Sequence, residues 1–276
     1  MSNIKNAGLV CCSNGQLIRY KNDIDSLDFK LRNFGITPVY SDYIYAKDYI
    51  GAGTAQERAR ALMDFYMDDS VDAIFDISGG DIANEILAYL DYDVIAATDK
   101  KFYGYSDLTT VINALYTMTG KSSVLYQVKN LVWDSSGLQE KVFLAQEMYN
   151  FRYEFVQGNS MSGVVVGGNI RCLLKLAGTK YLPDMNGKIL FLEALSGGEA
   201  QLRTYFAQLS DLSVFNEIDG ILLGTFIEFQ KNNSMDKLIT IVKEYAGCNL
   251  PIAITDDVGH SNLSKALNIG QVYVLN

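Results

Sequence analysis

Three stretches of this chain carry residues whose types and surroundings suit chemistry. The first is VDAIFDISGGDIANEILAYL, residues 71–90. Val71 to Ile77 alternates apolar residues with small or acidic ones and includes β-branched Val and Ile, which predicts a buried strand. Gly79 and Gly80 permit a sharp turn with positive φ. Ala83 to Leu90 then places Ile86, Leu87 and Leu90 on one face of a helix. A strand, tight turn and helix can raise one side chain above a sheet and aim backbone N–H groups at an oxyanion. Ala83 stands where that side chain is expected, and a methyl group cannot attack a carbonyl.

The second is His260, the only histidine, in the Gly-containing loop DDVGHSNL that follows the strand-like PIAIT. Imidazole titrates near neutral pH and suits a general base; the alternative is a loop histidine with no role. The third is Glu193, which ends the apolar run KILFLE. A carboxylate there sits at a sheet rim or is costly to bury. It is an acid that orients an imidazole or a solvated strand end, and pattern alone leaves both open.

Other groups flank these. Ser106 and Asp107, in GYSD, sit at a strand end facing the same rim. They bind substrate or support the turn, or they cap the following helix, the role their residue types favour. Asp256 and Asp257 meet a substrate amine or form a solvated loop. Ser78 precedes the glycine pair and is expected to point elsewhere. Cys11 and Cys12 end the first strand and are a minor alternative source of a nucleophile, if His260 lies within reach.

The elements that position these groups alternate. Ala7 to Cys12, Thr37 to Tyr40, Val71 to Ile77 and Phe102 to Tyr105 read as strands. Between and after them, Leu17 to Phe34, Thr54 to Met67 and Leu108 to Thr119 read as helices. Gly35 and Gly120 serve as stops, and Thr54 with Glu57 forms a capping box. Gln139 to Asn150 reads as one more helix. This alternation predicts an α/β fold with a doubly wound, mostly parallel N-terminal sheet. Short strands (Ile189 to Glu193, Gly220 to Gly224, Ile252 to Thr255) and helices (Glu199 to Leu209, Met235 to Tyr245) then predict a smaller C-terminal α/β domain. The expected division is 1–150, a linker at 151–163, and 164–276, with the active cleft between the domains.

The 276 residues are 49% hydrophobic and 20% charged, with 3 Pro, an ordinary globular composition. The net charge of −9 and the lack of basic clusters argue against nucleic acid and anionic membrane surfaces as partners. The four cysteines lie in apolar segments and are expected to be buried thiols; with one histidine they leave little for a metal site, and no cofactor is implied. MSNIKNAGLVCC lacks a secretory h-region, and no apolar run approaches the ~20 residues of a membrane span. A cytoplasmic location is expected.

GGDIANEILAYLDYDVI resembles the Gly-Gly-x-x-Ser-Asn segment of the LD-carboxypeptidase family, which includes the microcin C immunity proteins. FYGYSDLTTVINALYTMTG is similar to its Gly-Tyr-Ser-Asp segment, and GGNIRCLLKLAGTKYLPDMNGKILFLE to its Gly-Gly-Asn to Phe-Leu-Glu segment. GILLGTF and DDVGHSNL complete a series running from about Gly8 to Gly270. The resemblance implies a Ser-Glu-His triad with Glu193 and His260 as its last two members and Ala83 at the nucleophile position. It also implies an oxyanion hole from the N–H groups of Gly80 or Asp81 and of Asn84. LSGGEAQLRTYFAQL departs from the family, with Arg203 out of step by one.

On this reading the chain is a serine hydrolase of muropeptide or peptidyl amide bonds, disabled at Ala83. A residual rate of about 10³ to 10⁴ over water is typical of a lost triad member. The alternatives are a non-catalytic binder of peptide or muropeptide, and a hydrolase of peptidyl-nucleotides of the microcin C type. A homodimer is implied by the resemblance alone.

Overall fold

Strands too apolar to face water on either side need cover on both, and the chain supplies it with helices. In the computed structural model, which describes residues 4–47 and 50–276, they form two six-stranded sheets. Residues 1–3 of the N-terminal stretch considered above lie outside the described residues. The first sheet holds β1 (Asn6–Val10), β2 (Thr37–Tyr40), β3 (Ala73–Asp76), β4 (Lys101–Gly104) and β5 (Ser123–Leu125). Their spatial order is 2-1-3-4-5, all parallel. In such a sheet the connections leave β1 in opposite directions, which opens a crevice at the carboxyl ends of β1 and β3. The predicted capping box is formed: Thr54 Oγ1 accepts from Glu57 N, and Glu57 accepts from Thr54 N at 2.8 Å.

The second sheet runs β12-β7-β8-β9-β10-β6. Its centre is parallel: β7 (Met161–Asn169), β8 (Lys188–Ala194), β9 (Gly220–Phe226) and β10 (Ile252–Ile254). The edges β6 (Glu154–Gln157) and β12 (Val272–Leu275) are antiparallel. β9 is buried along its whole length, as a strand covered on both faces must be.

Several expectations need correcting. Residues 151–163 are not a free linker. Their short alternating segment Glu154–Gln157 pairs with β10 as an edge strand, and β7 begins at Met161. Near the C-terminus, β11 (Leu267–Ile269) crosses back to pair antiparallel with β5 in the first sheet. Ala83–Tyr89 is a 3₁₀ run rather than an α-helix. The helix expected over 139–150 breaks at Gln146, whose φ of +60° ends Leu138–Leu144 before a 3₁₀ turn at Glu147–Tyr149. Cys248 is exposed; the other three cysteines are buried.

The two halves are locked where the helix Thr109–Thr119 meets the end of β7. Asn113 Nδ2 donates to Gly167 O at 2.8 Å, and Gly167 N donates back to Asn113 Oδ1 at 2.9 Å. Asn169 N donates to Thr109 Oγ1. Gly168 sits at φ +138°, and a Cβ there would lie 2.5 Å from Thr109 Oγ1, so only glycine permits the approach.

Candidate active site

Four of the five parallel strands of the first sheet deliver polar residues to the same rim, because loops at the carboxyl ends of such strands converge there. Asn14 to Gln16 follow β1, Ser78 to Gly80 follow β3, Ser106 follows β4, and Gln127 to Asn130 follow β5. With Leu195 and Gly259 to Asn262 from the second half they line a cavity of about 680 Å³.

Ser106 sits where β4 turns into the 3₁₀ turn Ser106–Leu108 and the helix Thr109–Thr119. Its φ is +58°, a left-handed conformation that non-glycine residues adopt at a cost and that clusters at functional turns. Its Oγ lies 3.0 Å from His260 Nε2. His260 Nδ1 meets Glu193 Oε2 at 2.5 Å. Glu193 is fully buried near the end of β8 and its other oxygen accepts from Asn169 Nδ2 at 3.1 Å, so both oxygens are satisfied. The Tyr105 ring packs edge-on against the imidazole, with centroids 4.9 Å apart. Serine, imidazole and carboxylate thus form one hydrogen-bonded line, the order that activates a hydroxyl as nucleophile.

Asp107 braces this turn. It is fully buried; its Oδ2 accepts from Ser13 Oγ at 2.6 Å and Ala83 N at 2.8 Å, and its Oδ1 pairs with Lys175 at 2.5 Å. Lys175 also donates to Asp81 O. Arg58, 1% exposed, ties the same region from below: its guanidinium donates to Cys12 O and Ile82 O and pairs with Glu85. Gly80 takes φ +127° against Asn14, whose Oδ1 accepts from Asp81 N. Among the described residues, the N–H groups of Gly80 and Asp107 have no acceptor in the protein.

The sequence expectations fare unevenly. Glu193 and His260 are brought together. Ala83 is not beside the imidazole's free nitrogen: it is fully buried in the apolar cluster with Ile86 and Leu87, and the side chain at that nitrogen is Ser106. Ser106 and Asp107 do not cap a helix, because the hydroxyl is turned to His260 and the carboxylate to Ala83, Ser13 and Lys175. Asp81 has its N–H occupied by Asn14, and its side chain pairs with Arg171 and Lys175. Burial alone would raise the Asp81 carboxyl, but those two cations outweigh it and hold it low. Asn84 is exposed and does not line the cavity.

Asp257 is engaged by Arg152 and Lys265, and Arg203 by Glu199 and Glu244 at the surface. Burial pushes the Cys11 and Cys12 thiols up, away from a reactive thiolate. Ser78 donates to Asp76, also buried. No cluster of three or more metal-binding side chains occurs among the described residues. None of their helices is long and apolar enough to cross a membrane.

Sequence reasoning gave Ser106 too little weight and missed Ser13, Lys175 and Asn169. A serine two residues beyond a strand-ending glycine, at a strand-to-helix junction, was the available signal for Ser106. Nothing local marks the other three, whose partners lie far away in the chain.

Comparison with known proteins matches residues 7–126 to the LD-carboxypeptidase N-terminal domain and residues 162–275 to the LD-carboxypeptidase C-terminal domain. The chain belongs to the LD-carboxypeptidase family. Among LD-carboxypeptidase relatives, a putative carboxypeptidase of Treponema pallidum is 26% identical, over 92% of this chain and 84% of that protein. The microcin C7 self-immunity protein MccF of Escherichia coli is 25% identical, over 81% and 76% respectively. In structure, MccF in complex with aspartyl sulfamoyl adenosine superposes with a TM-score of 0.89 at 21% identity, over 99% of this chain and 93% of that one. The muramoyltetrapeptide carboxypeptidase from Oxalobacter formigenes gives 0.83 at 20%, over 98% and 95%. At those identities the superpositions show the LD-carboxypeptidase fold alone.

Proposed function

We propose that this protein is an active serine hydrolase of peptide amide bonds, with Ser106 as nucleophile, His260 as general base and then acid, and Glu193 as the group that orients the imidazole. The observation that carries it is the line Ser106 Oγ, His260, Glu193, with contacts of 3.0 and 2.5 Å. In this mechanism Ser106 Oγ adds to the carbonyl carbon and its proton passes to His260 Nε2. Glu193 stabilises the imidazolium through Nδ1–H. The oxyanion faces the unoccupied N–H groups of Asp107 and Gly80. The C–N bond breaks as His260 returns the proton to the departing amine, and water then releases the acyl group by the same steps. A disabled enzyme or a pure binder loses its basis, since it rested on Ala83 at the nucleophile position.

Family membership favours the L,D amide bond of a muropeptide as substrate. A second reading, hydrolysis of an aminoacyl-nucleotide, is supported by the aromatic wall of the cavity, where half-exposed Tyr20 and Trp133 offer flat faces to a planar group. MccF, one relative of known fold, has been solved in complex with aspartyl sulfamoyl adenosine. The deciding assay sets an L,D-linked muropeptide beside an aminoacyl sulfamoyl adenosine, with Ser106→Ala as control. Turnover of neither substrate, or turnover unchanged in Ser106→Ala, ends the proposal.

A further inference from the structure

The cavity has a second feature that the proposed chemistry does not use. Below its aromatic rim four polar side chains are almost wholly buried: Gln16 at 7% exposure, Gln127 at 9%, Lys129 at 7% and Asn130 at 4%. Gln16 is held by its Nε2, which donates to Ile77 O at 2.7 Å, so its Oε1 is the atom turned to Lys129 Nζ, at 3.2 Å. Gln127 Oε1 accepts from Lys129 N. Lys129 Nζ lies 4.7 Å from the centre of the Trp133 ring.

An ammonium carries three N–H donors and repays burial only when a negative charge and further acceptors meet it. Lys129 has one neutral acceptor and one aromatic face, and among the described residues no carboxylate is paired with it. The carboxylates around it are committed elsewhere. Asp23 accepts from Trp133 Nε1 at 3.3 Å, and buried Asp76 accepts from Cys12 N and from the amide and hydroxyl of Ser78.

We infer that Lys129 is a specificity-determining residue: it binds the free C-terminal carboxylate of the substrate whose amide bond Ser106 attacks. The inference rests on the hydrolase reading above. A ligand carboxylate supplies the counter-charge the protein withholds, in a pocket that Trp133 screens from water. Burial also pushes the Lys129 ammonium toward its neutral form, and an arriving anion opposes that push. An amide or ester at the same position brings no such charge and leaves Lys129 buried and uncompensated.

The test uses an N-acylated L-Lys-D-Ala dipeptide as free acid and as C-terminal amide, with the full chain and its Lys129→Met, Lys129→Gln and Lys129→Arg variants. The wild type is expected to prefer the free acid in kcat/KM by at least about tenfold. Lys129→Met, or Lys129→Gln if the former does not fold, should abolish that preference through KM, with kcat for the free acid changed by less than about threefold. Lys129→Arg should restore part of it. Equal losses on acid and amide, or a preference that survives both neutral variants, would overturn the assignment. Calorimetry in the Ser106→Ala background separates this result from the reading beneath it. Free-acid binding that weakens with Lys129→Met supports the anchor even if no turnover is found, whereas equal binding of acid and amide refutes it.

Discussion

The Ser106 hydroxyl and the His260 imidazole stand 154 residues apart in the chain and 3.0 Å apart in space. Ser106 follows a strand of the first sheet, and His260 lies in the loop after β10 of the second. Neither half holds this hydrogen-bonded serine and imidazole without the other.

That pairing gives the plainest prediction. Ser106→Ala should lower kcat for an L,D-linked muropeptide by at least about 10³-fold while leaving the fold intact. Ala83→Ser should not improve it, because the added hydroxyl enters the apolar cluster of Ile86 and Leu87. Buried without a partner, that hydroxyl is expected to cost about 1 to 3 kcal/mol in urea unfolding. Steady-state kinetics and unfolding midpoints of both variants check this.

Glu193→Gln tests the orienting carboxylate. The amide keeps an acceptor but no longer balances an imidazolium, and its NH₂ competes for the wrong tautomer of His260. A drop in kcat of about 10²- to 10⁴-fold is expected, with KM little changed. A variant with full turnover would remove the carboxylate from the mechanism.

Lys175 reaches from the second half to a carboxylate with no exposure. Lys175→Met leaves Asp107 buried with its charge uncompensated, a change that typically costs about 3 to 5 kcal/mol. Asp107 also holds Ala83 N and Ser13 Oγ, so the turn beneath Ser106 should loosen as well. Urea unfolding should show the loss in midpoint, and kinetics a fall in kcat at least as large as that of a distant variant with equal destabilisation.

Gly80→Ala asks whether the glycine turn needs its backbone shape. The new Cβ would fall 2.1 Å from Asn14 Cγ, at a φ of +127° that side chains rarely adopt. The strain is on the order of 1 to 3 kcal/mol. A displaced Gly80 N–H should reduce kcat about 10²-fold if it serves the oxyanion. Wild-type kcat in a folded Gly80→Ala protein would exclude that service.

The loop bearing His260 should make stability acid-sensitive. Arg152, and then Lys265, hold the Asp257 carboxyl well below the usual carboxylate range. A carboxyl whose folded value is depressed stabilises the protein above its unfolded pKa of about 3.9 and loses that contribution as pH falls through the folded value. Asp257→Asn should therefore lose about 1 kcal/mol at pH 7, a modest figure because Arg152 is mostly exposed. The gap between wild type and variant should narrow below about pH 4. Unfolding midpoints at pH 7 and pH 3 measure it.

Much of the fold was legible because its signals are local. Thr54 with Glu57, Gly35 and Gly120 punctuate their helices where the pattern places them, and Thr37–Tyr40 forms as read. The site was half legible. Glu193 and His260 stand out as a carboxylate ending an apolar strand and a lone imidazole. The glycine pair drew the nucleophile reading to Ala83 because a strand, turn and helix there have the same local pattern as those around Ser106. What separates them is a left-handed φ at Ser106 and a partner 154 residues away, and neither is written in a short window. Gln146 broke its helix for a comparable reason, a positive φ at a residue type that does not announce it.

The path of the last ten residues also bears on how the protein can be handled. β11 adds to the outer edge of β5, and within a few residues β12 adds to the outer edge of β7. The tail is a clasp that shields one flank of each sheet at once. Clipping it before Leu267 would bare two ladders of unpaired amides together, the usual invitation to intermolecular strand pairing. The first half expressed alone would lose β11 and bare β5, so precipitation is its expected fate, whereas the second half keeps β12 on β7.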